Sequence, residues 1–547
     1  MKELIKTLLA DVTRKIAPNF KGEIFVKITE NKNHGDYTSN VAFKFAKVLH
    51  KSPQTMAEEL VKKLKSKEFS KIEAKNGFVN FFLSEDCLEH QLGEILKKKN
   101  KYGNSDFGKN YKIQVEFISA NPTGPLTIGN GRGGFYGDVL ANIMETRGYK
   151  ITREFYVNDR GGQILALGRS IKLARGEKLN LEKTELENLY KGNYVNILAK
   201  QIDKNLSVEE TGQASVDLIL NTYIKPVIKK LGINFDVWFS EKSLYRNGTY
   251  EKVMEDLMQK ELVYEKDGAT WMKTSELGDT EDRVLIKSNG DETYFMSDIL
   301  YHLNKFEVRK FDKAINVWGA DHHGDVPRLS GALKVLGIDL ERLKIVLIQF
   351  VRLVSGGKKA KVSKRAGTFV TLEELVDEVG LNVARFFFLM YSPNTHMDFD
   401  LSLAKERSQK NPVYYVQYAH ARLSSILRKA THSTSSGQAS DKRPIRQAQG
   451  KQATSLKLLN TESEFSLIRK LVEYPEILSE IAESYEVHRL PRYALELARE
   501  FHNFYEKERV ITEDKKLTSA RLALVMATKI VLANSLNLMG IKAPDKM

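Results

Sequence analysis

At 547 residues the chain exceeds what one hydrophobic core accommodates, and at roughly 100 to 200 residues per domain about three domains are expected. Hydrophobic residues make up 42% with a mean hydropathy of -0.37, and no run approaches the roughly 20 continuous apolar residues of a membrane helix, which excludes a membrane-spanning reading. A single cysteine, Cys87, excludes an internal disulfide and a cysteine-built zinc site and fits a reducing, cytoplasmic setting, while a formal net charge of +15 is compatible with a polyanionic partner without requiring one.

The opening stretch, MKELIKTLLADVTRKIAPNF, alternates apolar and charged positions at helical spacing and reads as a folded helix rather than a leader. With lysine-rich helical stretches at 41–66 and 86–100 and strand-like EIFVKI and GFVNFFL, residues 1–108 predict a small α+β unit. From Lys112 the pattern changes. KIQVEFIS predicts a strand, PLTIGNGRGG (125–134) a phosphate-binding glycine turn, and GFYGDVLANIMETRG a helix ending at Gly148. Strand, glycine turn and helix open a parallel α/β domain. KITREFYV, AINVWGA and KIVLIQFVRLV continue a doubly wound sheet through a catalytic unit at 109–395, with an insertion around 170–290. After Asn411 only helical periodicity remains. An all-α bundle over 396–547 closes the chain, interrupted by a polar, low-complexity loop at 431–455.

GGKKAKVSKRAGTF (356–369) clusters lysines among glycines, as a mobile loop closing on a triphosphate would. With the glycine turn it resembles the paired signatures of class I aminoacyl-tRNA synthetases, standing here as Thr127-Ile128-Gly129-Asn130 and Lys361-Val362-Ser363-Lys364-Arg365. Thr127 and Asn130 occupy positions where histidines are expected. Within the class, VEFISANPTGPL (115–126), REFYVNDRGGQI (153–164), FDVWFSE (235–241), TYFMSDILYH (293–302), VWGADHHGDVPRL (317–329), SKRAGTFVTLEELVDEVG (363–380) and NPVYYVQYAHAR (411–422) resemble arginyl-tRNA synthetases, as do HGDYTSN, GFVNFFL and LNLMGIKAPDKM toward the ends.

The resemblance implies a Rossmann-type catalytic core and an arginine-tRNA ligase. L-Arginine and ATP give arginyl-adenylate and pyrophosphate, and arginine passes to the 3' end of tRNA(Arg) with release of AMP. Carried over residue by residue, it implies catalytic roles for Lys361, Ser363, Lys364, Asn130 and Thr127, and ATP contacts at Gly129, Gly319, Asp321 and His322. Arginine contacts fall at Glu116, Asn121, Tyr294 and Asp298, and anticodon contacts at Tyr415, Tyr505 and Met547. It further implies Mg2+ carried on ATP phosphates with no protein-held metal, and a cytoplasmic monomer, off the membrane, whose amino-terminal unit meets the tRNA elbow. Blander readings stand beside these: Glu116 as an ion pair with a lysine, Tyr294 as a core aromatic, and Tyr414 and Tyr418 as core. GADHHG reads poorly as a metal cluster, because adjacent residues on a strand face opposite ways. Two other functions remain open: an RNA-binding paralogue that has lost activation, favoured by the missing histidines, and another adenylate-forming synthetase of the same fold.

Overall fold

The computed structural model describes residues 1–18, 22–29, 31–246, 248–355, 358–359, 371–432 and 456–547. Its amino-terminal unit holds an antiparallel sheet of β1 (Val26–Ile28), β2 (Tyr37–Ser39), β3 (Phe69–Lys75) and β4 (Phe78–Leu83), ordered β1-β2-β4-β3. Helices α1 (Lys2–Ile16), α2 (Val41–Leu49) and α3 (Pro53–Lys63) pack against it. The single helical stretch expected at 41–66 is two helices, because His50 turns left-handed (φ 52°) and Pro53 restarts the chain behind a Ser52 cap. The next helix, α4 (Glu85–Lys98), packs on the carboxy-terminal helices.

A five-stranded, all-parallel sheet forms the core of the central unit. In chain order come β5 (Lys112–Glu116), α5 (Ile128–Thr146), β6 (Lys150–Val157), five helices α6 (Gly162–Ala174), α7 (Lys183–Glu187), α8 (Asn193–Gln201), α9 (Val208–Ile219) and α10 (Lys225–Lys230), and then β7 (Val237–Ser240). After α11 (Thr249–Gln259), β8 (Val263–Lys266), β9 (Ala269–Met272) and β10 (Arg283–Ile286) make a small antiparallel sheet. Helix α12 (Tyr294–Leu303), β11 (Lys313–Gly319), α13 (Asp325–Val335) and β12 (Leu343–Ile348) complete the main sheet, ordered β12-β11-β5-β6-β7. This is the expected doubly wound, Rossmann-type core. The span around 170–290 is not one uniform insertion, since β7 within it belongs to the main sheet.

KIVLIQFVRLV, expected as one strand, is two. The chain breaks at Gln349, whose N–H bonds the Pro393 carbonyl (2.9 Å) and whose carbonyl accepts from Arg132 (2.7 Å). β13 (Val351–Ser355) then joins a second sheet with β14 (Lys358–Lys359) and β15 (Met397–Asp400). β15 lies beyond residue 395 yet pairs with β13, so it goes with the strands before it rather than with the helices after it. Helices α14 (Leu372–Val379), α15 (Leu381–Leu389) and α16 (Leu401–Lys405) bracket this sheet, and the bundle follows as α17 (Pro412–His432), α18 (Glu462–Val472), α19 (Tyr474–Ser484), α20 (Arg489–Lys507) and α21 (Lys515–Leu538). By length and composition α21 is apolar enough to cross a membrane, contrary to the sequence reading, but 72% of its most apolar window is buried within the chain. Past the end of α17, the low-complexity segment lies outside the described residues.

One buried guanidinium ties three of these parts together. Arg385 of α15, 1% exposed, donates to Asp138 Oδ2 of α5 (2.8 Å) and to the carbonyls of Leu231 (2.8 Å) and Met539 (3.0 Å). Burial pushes the Asp138 carboxyl up, and Arg385 opposes that shift. Gly540 turns left-handed (φ 66°) beside it, where a β-carbon would strike the guanidinium. Removing one partner of such a pair strands the other charge, so Asp138→Ala is expected to lower stability by about 3 to 5 kcal/mol. Urea unfolding followed by circular dichroism measures this, and a loss below about 1 kcal/mol, the worth of an exposed pair, overturns it.

Candidate active site

The stretch expected as a glycine turn is helix. α5 begins at Ile128, with Thr127 (φ -90°, ψ 165°) as its N-cap. Asn130 Oδ1 accepts from both the Thr127 N–H (2.9 Å) and the Thr127 hydroxyl (3.0 Å). Thr127 therefore spends its hydroxyl on Asn130 and does not present it as an outward donor. The Asn130 amide nitrogen has no partner among the described residues. Around Gly129 the surroundings are open, since a β-carbon there would meet nothing nearer than Thr127 Oγ1 at 3.7 Å. The first N–H groups of a helix lack intrahelical acceptors, so with the dipole this open end is suited to an anion.

Deeper in α5 the glycines serve packing. A β-carbon on Gly131 would lie 2.5 Å from Leu372 Cδ1, and one on Gly137 would overlap the Phe117 ring. The helix is thereby pressed against α14 and the end of β5. Leu372 N–H bonds the Leu126 carbonyl (2.9 Å), and Thr127 bridges Thr371. On the other side Arg132, 2% exposed, donates to the carbonyls of Gln349 (2.7 Å) and Ser392 (2.8 Å), and burial draws its pKa down to about 10. The described chain on both flanks of the lysine loop is thus tied to the first turns of α5. Lys361, Ser363 and Lys364 themselves lie outside the described residues.

Beyond β5 the backbone is strained. Ile118 (φ 68°) and Ser119 (φ 39°) are left-handed, a conformation that a β-branched residue rarely holds. The turn carries Ser119 back to donate to Glu116 Oε1 (3.0 Å) and to accept from Tyr156 N–H (3.2 Å). Glu116, 4% exposed, pairs through Oε2 with the fully buried Lys305 (2.7 Å), so the ion pair with a lysine is real. On α12, Tyr294 is 55% exposed and is no core aromatic. Its hydroxyl meets Asn158, whose amide reaches Asn121 Oδ1 at 3.4 Å, joining two expected arginine contacts through a third residue.

One turn along α12 sits Asp298. Burial raises its carboxyl to about 7, helped by Glu116, Asp325 and Glu241 and opposed by His322. Glu241, which the sequence did not single out, is 3% exposed, raised to about 7 by burial, and accepts from Ser297 (2.6 Å). Glu241 Oε2 and Asn158 Oδ1 are buried without a hydrogen-bond partner among the described residues. Glu116, Asp325 and Glu241 thus all act on the Asp298 carboxyl, and burial leaves both Asp298 and Glu241 reluctant to ionise.

β11 ends at Gly319, and Ala320–Gly324 continues as a 3-10 turn, so the strand alternation invoked for GADHHG does not apply. Asp321 folds its carboxylate into the space a Gly319 side chain would need. His322 Nδ1 bonds Asp325 Oδ2 (2.8 Å), which raises its pKa, and its ring lies 5.7 Å from that of Trp318. His322, an expected ATP contact, lowers the carboxyl of Asp298, an expected arginine contact.

In the bundle, Tyr415 lies 5.2 Å from the His502 ring, and Arg422 stands 4.4 Å over Tyr505. Tyr418, expected in the core, is 37% exposed and stacks on His502 (6.1 Å), while Tyr414 is partly buried. Exposed Met547 follows a tail anchored by Asp545 on Ser424 (2.8 Å) and Lys529 (2.8 Å).

Three family profiles match the chain: "Arginyl tRNA synthetase N terminal domain" at 2–83, "tRNA synthetases class I (R), catalytic domain" at 91–386 and "DALR anticodon binding domain" at 416–547. The arginine–tRNA ligase of Thermotoga maritima is 42% identical over 560 residues, covering 100% of both chains. That of Listeria welshimeri is 43% identical over 542 residues, covering 96% of this chain and 94% of its own. The solved arginyl-tRNA synthetase of Thermus thermophilus superposes with a TM-score of 0.80 at 24% identity over 100% of both chains, a likeness of fold.

The cap geometry separates two variants. Asn130→Ala removes half of the cap and is expected to cost about 0.5 to 2 kcal/mol of stability. Asn130→Asp keeps the acceptor for Thr127 and suits the helix dipole, so its stability holds. It places negative charge at a helix end suited to an anion, and if a phosphate is received there it should lower adenylate formation by about a hundredfold to a thousandfold. Thermal unfolding and single-turnover adenylate formation read the two effects. Wild-type rates in Asn130→Asp would mean that this helix end receives no phosphate.

Proposed function

The chain belongs to the arginyl-tRNA synthetases, arginine–tRNA ligases with a class I catalytic domain, and we propose that the carboxylates around α12 hold the guanidinium of arginine while the start of α5 and the lysine loop hold the triphosphate. The chain activates arginine with ATP and joins it to tRNA. Relatives at 42% identity along the whole chain do not favour an RNA-binding paralogue without activation. The observation that carries the pocket assignment is the buried Asp298 carboxyl, raised to about 7 under the influence of Glu116, Asp325 and Glu241, in the same domain as the open N-terminal end of α5. A guanidinium is a planar fork of donors whose burial demands negative charge, and a triphosphate demands the opposite.

The carboxylate of arginine attacks the α-phosphate directly, so the chain needs no nucleophile of its own; it orients the reactants and offsets charge building on the phosphates. In this proposal Lys361 and Lys364 supply positive charge, Ser363 donates a hydrogen bond, and the Asn130 amide and the N–H groups near Gly129 cradle phosphate oxygens. Thr127 acts through Asn130. Gly319, Asp321 and His322 border the nucleoside, while Asn121 and Tyr294 border the arginine main chain. Mg2+ would come with the triphosphate, held mainly by phosphate oxygens rather than by side chains of this chain, and would supply positive charge there. The nearby acids fit that arrangement, because Asp325 is engaged by His322 and Arg328 and Asp321 turns back on Gly319. Tyr415, Tyr505 and Met547 offer surfaces to unstacked anticodon bases, and residues 1–108 meet the tRNA elbow. We place the enzyme in the cytoplasm as a monomer off the membrane, in keeping with burial of α21 inside its own bundle.

Aminoacylation of total tRNA with each amino acid in turn should give charging with arginine alone; charging with another, or with none, overturns the reading. Asp298→Asn should raise the arginine KM steeply, since losing one partner of a buried pair costs about 3 to 5 kcal/mol, and leave the ATP KM near wild type.

The pH dependence has a definite sign. Empty, the Asp298 carboxyl titrates at about 7, and a bound guanidinium favours its ionised form. Binding therefore displaces a proton at lower pH, and arginine affinity should rise from about pH 6 to about pH 8 and then level off. Arginine KM measured across that range checks it; a flat profile in the wild type would remove Asp298 from the pocket. The slope should shrink in Asp298→Asn, with the remainder belonging to Glu241.

A further inference from the structure

Beneath the pocket runs a chain of buried polar groups that substrate binding as described does not use. Lys305 lies in a widened helical turn, Asn304–Val308, that follows α12, the kind of local irregularity common at functional sites. Its ammonium donates to Glu116 Oε2 (2.7 Å) and Asn316 Oδ1 (2.8 Å), and sits 4.0 Å over the Tyr301 ring. Because Asn316 Oδ1 accepts from Lys305, its amide nitrogen donates, and the acceptor is His302 Nε2 at 2.7 Å. That leaves the His302 proton on Nδ1, which donates to the Asp298 carbonyl at 2.7 Å. Lys305, His302 and Asn316 are each 0% exposed. Burial and the neighbouring Lys305 hold His302 well below its ordinary pKa, in keeping with the neutral tautomer the bonds require.

One end of this chain is the Glu116 carboxylate and the other is the main chain of Asp298. It links β5 and α12, which carry the two carboxylates, through Asn316 of β11. Packing alone would be served as well by apolar side chains of similar volume, since a buried ion pair contributes little net stability. What the polar chain adds is orientation. Glu116 is held by Lys305 on one oxygen and Ser119 on the other, and the α12 backbone at Asp298 is held through His302.

We propose that Asn316, with Lys305 and His302, is a positioning residue that fixes the relative placement of Glu116 and Asp298 and so selects a guanidinium over an ammonium side chain. This rests on the arginine pocket assigned above. A planar fork must meet two acceptors at a set spacing and angle, whereas an ammonium is a point charge on a flexible stem and tolerates a looser pair. Asn316 reaches the pocket only through others, so its variants report on placement.

The test uses the full-length enzyme with Asn316→Leu and the smaller Asn316→Ser. The arginine KM in tRNA charging should rise on the order of tenfold to a hundredfold, with the ATP KM within about twofold of wild type. Lysine, assayed as a competitive inhibitor of arginine, should change by no more than about twofold, so that the preference for arginine over lysine falls. A folded variant with wild-type arginine KM overturns the proposal, as do arginine and lysine constants that move together. So does loss of cooperative unfolding in both variants, which would make the chain a folding element. If Asp298→Asn leaves the arginine KM untouched, the pocket assignment fails first; if Asp298→Asn raises it and folded Asn316 variants do not, only the role of Asn316 fails.

Discussion

The catalytic face is referenced to the first turns of α5, and that helix sits where it does because Gly131 and Gly137 lack side chains. The two positions let α5 close on Leu372 and on the Phe117 ring. Glycine in a helix interior costs about 1 kcal/mol relative to alanine, so this segment is a poor helix by propensity and is held by what surrounds it. Those surroundings are the parts the reaction needs: the strained end of β5 that carries Glu116, the entry to β13 through Arg132, and the start of α14 through Leu126. The open N-terminal end of α5 and both flanks of the lysine loop therefore share one support.

Buried ion pairs add a second set of ties. Glu116 with Lys305 joins β5 to the turn after α12, Glu154 with Arg309 joins β6 to the residues leading into β11, and Asp138 with Arg385 joins α5 to α15. Such pairs contribute modestly to net stability and heavily to geometry, since a displaced partner leaves a charge in a low-dielectric interior. The first of them fixes one oxygen of Glu116, which suits a substrate whose donors are read by the spacing of the pocket's acceptors.

Much of this was legible in the sequence, and the failures have physical causes. Tyr294 and Asp298, four apart, do share one helical face, because that spacing is local. The glycines of IGNGRGG pointed to the right place and the wrong conformation: low propensity suggested a turn, and tertiary contacts override it. KIVLIQFVRLV reads as one strand because its apolar run is unbroken, whereas the break is made by Arg132, 217 residues away. Glu241, Lys305 and Asn316 are unremarkable in sequence, and only the fold sets them beside Asp298 and Glu116. Tyr418 looked like core because its helix is amphipathic, yet it lies at the edge of the buried face, against His502 and Arg422.

The replacement of both signature histidines by Thr127 and Asn130 fits this division of charge. An imidazole at a helix N-terminus offers a donor, but its charge depends on pH near neutrality. Asn130 offers a donor that does not titrate, and because its oxygen holds Thr127 in the cap, the amide is oriented before any phosphate arrives. Arg132, one turn inside the same helix, keeps its charge even at a pKa of about 10. Titration is left to the other half of the site, where Asp298 and Glu241 change state near 7 and His322 is coupled to Asp298. A pocket whose anionic side can be neutral when empty avoids holding several unpaired carboxylates in a low-dielectric space. In the proposed pocket a bound guanidinium would favour the ionised acids, so the burial that makes them weak also ties their ionisation to a bound cation.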